Sequence, residues 1–312
     1  MHTPSHLSKR WLVIINPRAG NGIVQQKWPA LEIQLRAILP HLAIAISKQV
    51  EDVNHIVATA ITQGIRHIIA VGGDGSAHQA VNAIMQQKLV ASTDITFVIL
   101  PLGTGNDWIK THQIPRAWPA WKAMFLKGKK HCQNVGLIQY HKENQLQKTY
   151  FINVAGLAYD AFVVKEAAGK FSFLRGSLYY LWLGLSCLPK YTTQKATLIY
   201  NKKEISQRFY TINIGIGQYS GGGMQLVPHA NTQSDNFALT YVGHLSRLGV
   251  MLNSYRFYNG RIATFKRATL AKTPKIAIQS NENMLIEADG EYLGQCPVSI
   301  ELLKDRLTFI GL

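Results

Sequence analysis

Cysteine is scarce in this chain. Three residues, Cys132, Cys187 and Cys296, are widely spaced and form no CxxC pair. An odd, sparse set argues against a zinc site and for reduced thiols in a cytosolic protein. Long apolar runs are missing as well. The longest, Leu178 to Leu188, falls short of the roughly 20 residues that cross a bilayer. No apolar signal-type segment precedes the first strand, so a soluble or peripheral protein is expected. Acidic residues are few: 17 Asp+Glu against 33 Lys+Arg give a net charge of +16. Such a surface seeks polyanions, either nucleic acid or anionic membrane, although part of it is ordinary solvated surface. No nucleic-acid module signature occurs, and the basic residues are dispersed apart from clusters at Lys127 to Lys130 and Arg256 to Lys275. There is no GxGxxG, no GxxxxGK[ST], no internal repeat and no low-complexity tract. A dinucleotide fingerprint and a Walker A loop are therefore excluded.

What is present is clustered glycine. The stretch His67 to Met85 opens with the apolar, β-branched run Ile68 to Val71 and turns at Gly72-Gly73-Asp74-Gly75-Ser76. Ser76 is placed to cap a helix running to Lys88, whose Ala77, Ala80, Val81 and Ile84 recur at helical spacing. Strand, glycine turn and helix N-terminus together make an anion site, phosphate above all. Asp74 would repel a bare phosphate there. It suits a divalent metal or a proton taken from an attacking hydroxyl; the plainer reading is a turn aspartate bonded to backbone.

The same grammar repeats along the first half. Trp11 to Ile15 reads as a strand running into Asn16-Pro17-Arg18-Ala19-Gly20-Asn21-Gly22. Gln25 to Leu39 reads as a helix, Leu42 to Ile46 as a strand and Val53 to Gln63 as a helix. Ile95 to Leu100 is a strand that exits into Pro101-Leu102-Gly103-Thr104-Gly105-Asn106-Asp107. Alternating strands and helices imply a parallel, right-handed βαβ sheet, with ligands beyond the carboxyl ends of its strands. The three glycine turns would all fall on that edge.

From about Cys132 the texture changes to short β-rich segments: Thr149 to Val154, Ala196 to Tyr200, Phe209 to Ile214, Phe237 to Val242, Lys275 to Gln279 and Met284 to Ala288. They read as an antiparallel sandwich or barrel-like domain, with helices at roughly 169–188 and 245–258. The expected domains are 1–131, α/β and nucleotide-binding, and 132–312, a β-sandwich that carries the substrate, with the last strand free to return to the first domain.

In this order, GGDGS, LPLGTGND (100–107) and ADGE (288–291) resemble the diacylglycerol kinase catalytic-domain family, which includes sphingosine kinases and bacterial soluble lipid kinases. Asn16 to Gly20 resembles that family's NPxSG loop, with Ala19 where serine is usual. Asn153 to Ala161 and the GGGM segment from Gly221 through Pro228 to Asp235 extend the likeness essentially end to end. Departures occur: Gln79 replaces an acidic residue, Asn236 a glycine, Leu239 an aspartate, and Asn134 stands where many members carry an aspartate.

The resemblance implies a phosphofructokinase-like, Rossmann-like first domain, a C-terminal β-sandwich, and ATP bound between them. It implies an ATP site drawn from Asn16, Pro17, Arg18, Ala19, Gly20, Ser47, Gly72, Gly73, Asp74, Gly75, Ser76, Ala77, His78, Gln79, Thr104, Asn106 and Asp107. It further implies a Mg²⁺ on Asp235 and the carbonyls of Thr232 and Phe237. The implied activity is Mg-dependent transfer of the ATP γ-phosphoryl group to a hydroxyl of a diacylglycerol-, phosphatidylglycerol- or sphingoid-like lipid, in the cytoplasm at the inner membrane face. The alternatives are a kinase of a soluble hydroxyl substrate such as a dinucleotide, and a lipid-binding regulator with weakened catalysis. A homodimer is left open.

The segment Ala288-Asp289-Gly290-Glu291 reads by itself as a hairpin turn. The resemblance assigns it the catalytic acidic pair, with Asp289 or Glu291 as general base and Asp74 as a third candidate. If the segment is extended, Asp289 and Glu291 share a face. Phe171, Phe173, Leu174, Leu178, Leu181, Trp182 and Leu185, with Lys165, Lys170, Arg175 and Lys190, read either as a membrane contact or as a buried helix.

Overall fold

The computed structural model describes residues 5–312 apart from 18, 21, 104, 105, 144 and 168–176, and the backbone alone of 50, 51 and 177–181. The chain divides into two compact units, residues 1–133 with 305–312, and residues 134–304.

The first unit is built from β1 (Trp11–Ile15), α1 (Ile23–Arg36), β2 (Leu42–Ile46), α2 (Val50–Thr62), β3 (His67–Gly72), α3 (Asp74–Gln86), β4 (Thr96–Pro101), α4 (Asp107–Thr111) and α5 (Trp118–Lys127). Its strands lie in the order β2-β1-β3-β4 and every neighbouring pair is parallel. β1 and β4 are buried along their whole length. Continuous apolar strands of this kind suit a sheet covered on both faces. Trp11 and Trp121 are fully buried, and each indole N–H finds a carbonyl, of His6 at 2.9 Å and Ile99 at 2.8 Å.

Two local expectations change. α3 begins at Asp74 with Gly73 as its N-cap and no side-chain cap, so Ser76 lies within the first turn and caps nothing. α1 runs from Ile23 to Arg36 and not from Gln25 to Leu39, so Pro29 lies deeper inside it than expected.

The second unit contains most of β5 (Lys130–Lys142), then β6 (Gln145–Phe151), β7 (Val154–Ala158), α6 (Tyr159–Ala167), α7 (Ser177–Cys187), β8 (Gln194–Tyr200), β9 (Lys203–Gly215) and β10 (Phe237–Gly243). α8 (Arg247–Asn253) follows and continues into a 3-10 turn at Ser254–Phe257; then come β11 (Ala268–Thr273), β12 (Lys275–Gln279), β13 (Leu285–Ala288) and β14 (Glu291–Ile310). The order β11-β10-β9-β7-β13-β14 is antiparallel throughout. One apolar core runs beneath it, with Phe209, Ile212, Leu239 and Ile286 fully buried. The far end of β14 belongs to the first unit, where Thr308 and Phe309 pair in parallel with Thr96 and Phe97 of β4.

The single strand expected at Thr149 to Val154 is two. β6 stops at Phe151 and β7 starts at Val154, with a bend at Ile152 and Asn153. That break turns three backbone amides toward an acidic side chain.

Candidate active site

In the first unit the glycine turns interlock. The carbonyl of Gly72 accepts from Leu102 N–H at 2.8 Å and Gly103 N–H at 2.9 Å. A Cβ on Gly103 would lie 2.4 Å from Gly73 Cα, and one on Gly20, at φ +63°, would lie 2.9 Å from the Leu102 carbonyl oxygen. The turns after β1, β3 and β4 are therefore in backbone contact, and only glycine permits that approach. Asn106 sits at φ 54° and its Nδ2 donates to the Gly103 carbonyl at 2.5 Å. Its Oδ1 is buried and has no hydrogen-bond partner among the described residues. Such an atom suits a bound group that carries a donor.

Asp74 ties two turns together. Its Oδ2 accepts from Asp107 N–H at 2.9 Å and its Oδ1 from Trp108 N–H at 3.0 Å. It therefore satisfies the orphan amides that open α4. Asp107 is buried and bonded to Lys110 Nζ at 2.7 Å. Arg116 was absent from the sequence-based site, yet its Nη2 donates to the Gly103 carbonyl at 3.0 Å and brings a cation to the turns.

Of the other expected nucleotide residues, Asn16, Pro17, Ala19, Gly20, Gly73, Gly75, Ser76 and Gln79 are half-buried at or beside these turns, and Gly72 is buried. Ala77 and His78 are buried within α3, and Ser47 is buried with its Oγ on the Ile15 carbonyl at 3.3 Å. Arg18 and Thr104 lie outside the described residues.

In the second unit Ala288 and Glu291 pair directly, and Asp289 and Gly290 between them have φ 50° and 86°. Positive φ at both central residues is what a two-residue type I′ hairpin demands. Asp289 and Glu291 therefore do not share the face of one extended segment. Asp289 turns toward the bend at 152–153: its carboxylate accepts from Ile152 N–H at 3.0 Å, Asn153 N–H at 2.9 Å and Val154 N–H at 3.2 Å. Glu291 is exposed at the start of β14. Asn153 Nδ2 donates to the Tyr219 carbonyl at 2.5 Å, and its buried Oδ1 has no partner among the described residues.

Beneath the hairpin lies an acid that the motifs did not flag. Glu287 is 2% exposed, faces Gly156 across the β13–β7 pairing, and accepts from Gly290 N–H at 2.8 Å. A Cβ on Gly156 would lie 2.6 Å from Glu287 Oε1. Asp160 accepts from Thr211 Oγ1, which in turn accepts from Asn213 Nδ2 at 2.8 Å. Burial pushes the Asp160 carboxyl up to about 6. Burial, then the charges of Asp160 and Asp289, push Glu287 well above the usual carboxylate range. Burial thus favours the protonated form of both carboxyls. The one available signal was an acid inside the apolar strand Met284 to Ala288, since unpaired acids are almost never buried.

Two members of the expected metal set have protein partners. Asp235 Oδ1 is 2.6 Å from Lys304 Nζ, and the Thr232 carbonyl accepts from Asn134 N–H at 3.4 Å. Phe237 is the first residue of β10 and fully buried. An ammonium thus takes the one carboxylate of the set. Among the described residues no group of three or more His, Cys, Asp or Glu side chains converges to hold a metal.

Two family models match the chain: the diacylglycerol kinase catalytic domain over residues 10–139, and the YegS C-terminal NAD kinase beta sandwich-like domain over residues 153–311. The chain belongs to the family defined by the YegS-type C-terminal domain, carries a diacylglycerol kinase catalytic domain ahead of it, and is a kinase of the lipid-kinase type. Among its relatives, a protein named diacylglycerol kinase from Staphylococcus saprophyticus is 24% identical over 304 residues, covering 96% of this chain and 95% of its own. "Probable lipid kinase YegS-like" of Stenotrophomonas maltophilia is 25% identical over 307 residues, covering 96% and 94%. A solved diacylglycerol kinase from Bacillus anthracis has the same fold, with a TM-score of 0.69 at 20% identity over 97% of each chain.

Proposed function

We propose that the protein transfers the γ-phosphoryl group of ATP to a hydroxyl of a diacylglycerol-, phosphatidylglycerol- or sphingoid-like lipid, in the cytoplasm at the inner membrane face. The observation that carries this is the interlocking of the Gly20, Gly72–Gly73 and Gly103 turns at the strand ends. Phosphoryl transfer asks mainly for positioning and charge neutralisation, and the N-terminus of α3 at these turns with the Arg116 cation beside them supplies both. On this reading the first domain, of phosphofructokinase type, takes ATP and the second, a sandwich, takes the lipid. Mg²⁺ enters with ATP as its counter-ion and not through Asp235.

The general base is assigned by exposure, because of the three acidic candidates Glu291 alone is exposed. Asp74 spends both oxygens on the amides of Asp107 and Trp108, and Asp289 spends its oxygens on three amides. Both are positioning residues. Glu291, exposed next to Asp289 in the hairpin, takes the proton of the attacking hydroxyl. Labelled ATP is to be offered with extracted lipids and, separately, with soluble nucleotides. Label is expected in the lipids, and Glu291→Gln should lower kcat by roughly 10²–10⁴ with ATP affinity kept. Label confined to soluble acceptors ends the lipid reading; full turnover in Glu291→Gln moves the base elsewhere.

A further inference from the structure

The segment from Asn236 to Asn281 holds no Asp or Glu but seven cations: Arg247, Arg256, Arg261, Lys266, Arg267, Lys272 and Lys275. Within it, α8 and its 3-10 extension present Leu248, Met251, Leu252 and Tyr255 to solvent, at 64%, 55%, 66% and 50% exposure. These positions are i, i+3, i+4 and i+7, so they form one stripe. The opposite side is anchored: Val250 is buried in the core and Ser246 caps the helix through Gly249 N–H at 3.1 Å. The stripe is therefore a firmly held apolar ridge. Arg247 and Arg261 are exposed on the same segment, and Arg256 lies half-buried over the Tyr255 ring, 5.3 Å from its centroid.

We propose that this ridge is the surface that docks on an anionic bilayer, with Leu248, Met251 and Leu252 entering the interface and the flanking arginines meeting lipid headgroups. An apolar helix face bordered by cations and free of acids has the chemistry of an interfacial anchor. Charge decides the occupant. A second copy would bring the same acid-free basic segment against this one in a chain of net charge +16, and like charges repel. Arg247 and Val250 also wall a cavity of about 310 Å³ with Leu188, Tyr191, Tyr210 and Leu245. Thr192, Thr193, His244 and Ser246 complete its lining, so the ridge borders a hollow of mixed polarity. The proposal rests on the lipid-kinase reading for its acceptor and adds the docking face. The membrane contact expected around Phe171 lies for the most part outside the described residues. Within the described part of α7, Trp182 and Leu185 are exposed and Leu183 and Cys187 are buried.

The test is sedimentation of the full chain with phosphatidylcholine vesicles that lack or contain about 30 mol% phosphatidylglycerol, at low and high salt. Leu248→Ser/Met251→Ser/Leu252→Ser should bind the anionic vesicles at least about tenfold more weakly than the wild type. Arg247→Gln/Arg261→Gln should erase much of the preference for anionic over neutral vesicles. Melting temperature and ATP binding are followed alongside, so that a misfolded variant is recognised and replaced by Leu252→Ser alone. Undiminished vesicle binding by the folded triple variant overturns the proposal. So does a wild-type dimer that the triple variant dissolves with no change in vesicle binding. Phosphorylation of a dispersed short-chain lipid separates the two readings. If that activity is present without ridge-dependent binding, the docking face falls alone. If ridge-dependent binding is present without any lipid phosphorylation, the substrate reading falls alone.

Discussion

The two units solve one problem with the same device. In the first, Asp74 clamps the amides of Asp107 and Trp108, beside Asn106 with its unpartnered buried Oδ1. In the second, Asp289 clamps the amides of Ile152, Asn153 and Val154, and Asn153 again carries an unpartnered buried Oδ1. Each acid is the middle of a glycine turn, and each pins a bend that starts a regular element. What differs is the support. The first clamp rests on bare backbone, turn against turn at Gly73 and Gly103. The second rests on a buried acid, Glu287. An acid in a kinase-like motif is thus first a fastener of backbone, and its chemistry follows from where it holds the loop.

The largest effect is expected from breaking the clamps. Asp289→Ala leaves three amides of a buried bend without a partner and should cost roughly 3–5 kcal/mol in urea unfolding. Asp74→Ala leaves two and should cost roughly 1–3 kcal/mol. The reverse order would show that the clamps are not alike.

Next comes the support of the first clamp. Gly103→Ala puts a Cβ into Gly73 backbone, so the turns must part. ATP affinity is expected to fall at least about tenfold, with a stability loss of roughly 1–3 kcal/mol. Unchanged affinity by calorimetry would mean that the turns need not touch.

The support of the second clamp has a pH signature. Asp160 and Glu287 both have carboxyls raised above their unfolded values, so the folded state binds the extra protons. Stability therefore falls as pH rises from about 4, and for Asp160 the loss is complete above about 6, up to roughly 3 kcal/mol. Asp160→Asn should flatten that slope in melts between pH 4 and 8. An unchanged slope would place the protons elsewhere.

The smallest effect belongs to the surface pair. Lys304→Ala should cost under about 1 kcal/mol, and chelation of divalent metal without nucleotide should leave the melting temperature unmoved. A marked drop on chelation would restore a metal to Asp235.

Much of the first unit was legible, because buried parallel strands such as β3 and β4 appear as apolar runs that lead into glycine turns. β14 was not: Gly294, Pro297 and Asp305 interrupt any alternation, and the pairing with β13 shifts register after Ile286. The Asp-Gly hairpin was readable from two residues, but not the direction of Asp289, which depends on a bend more than a hundred positions away. α8 marks another limit. Its stripe at 248, 251, 252 and 255 has the period of a core face, and periodicity fixes which residues lie together without saying whether they point inward.

β14 also sets an order of events during synthesis. The first unit's β4 gains Thr308 and Phe309 as pairing partners only after the second unit has left the ribosome. Until then the emerging α/β unit carries β4 with that edge unpaired, an open template for strands of other nascent chains. Closure is thus a contact of long sequence separation, slow by its nature. β14 is for this reason a closing latch on the first unit.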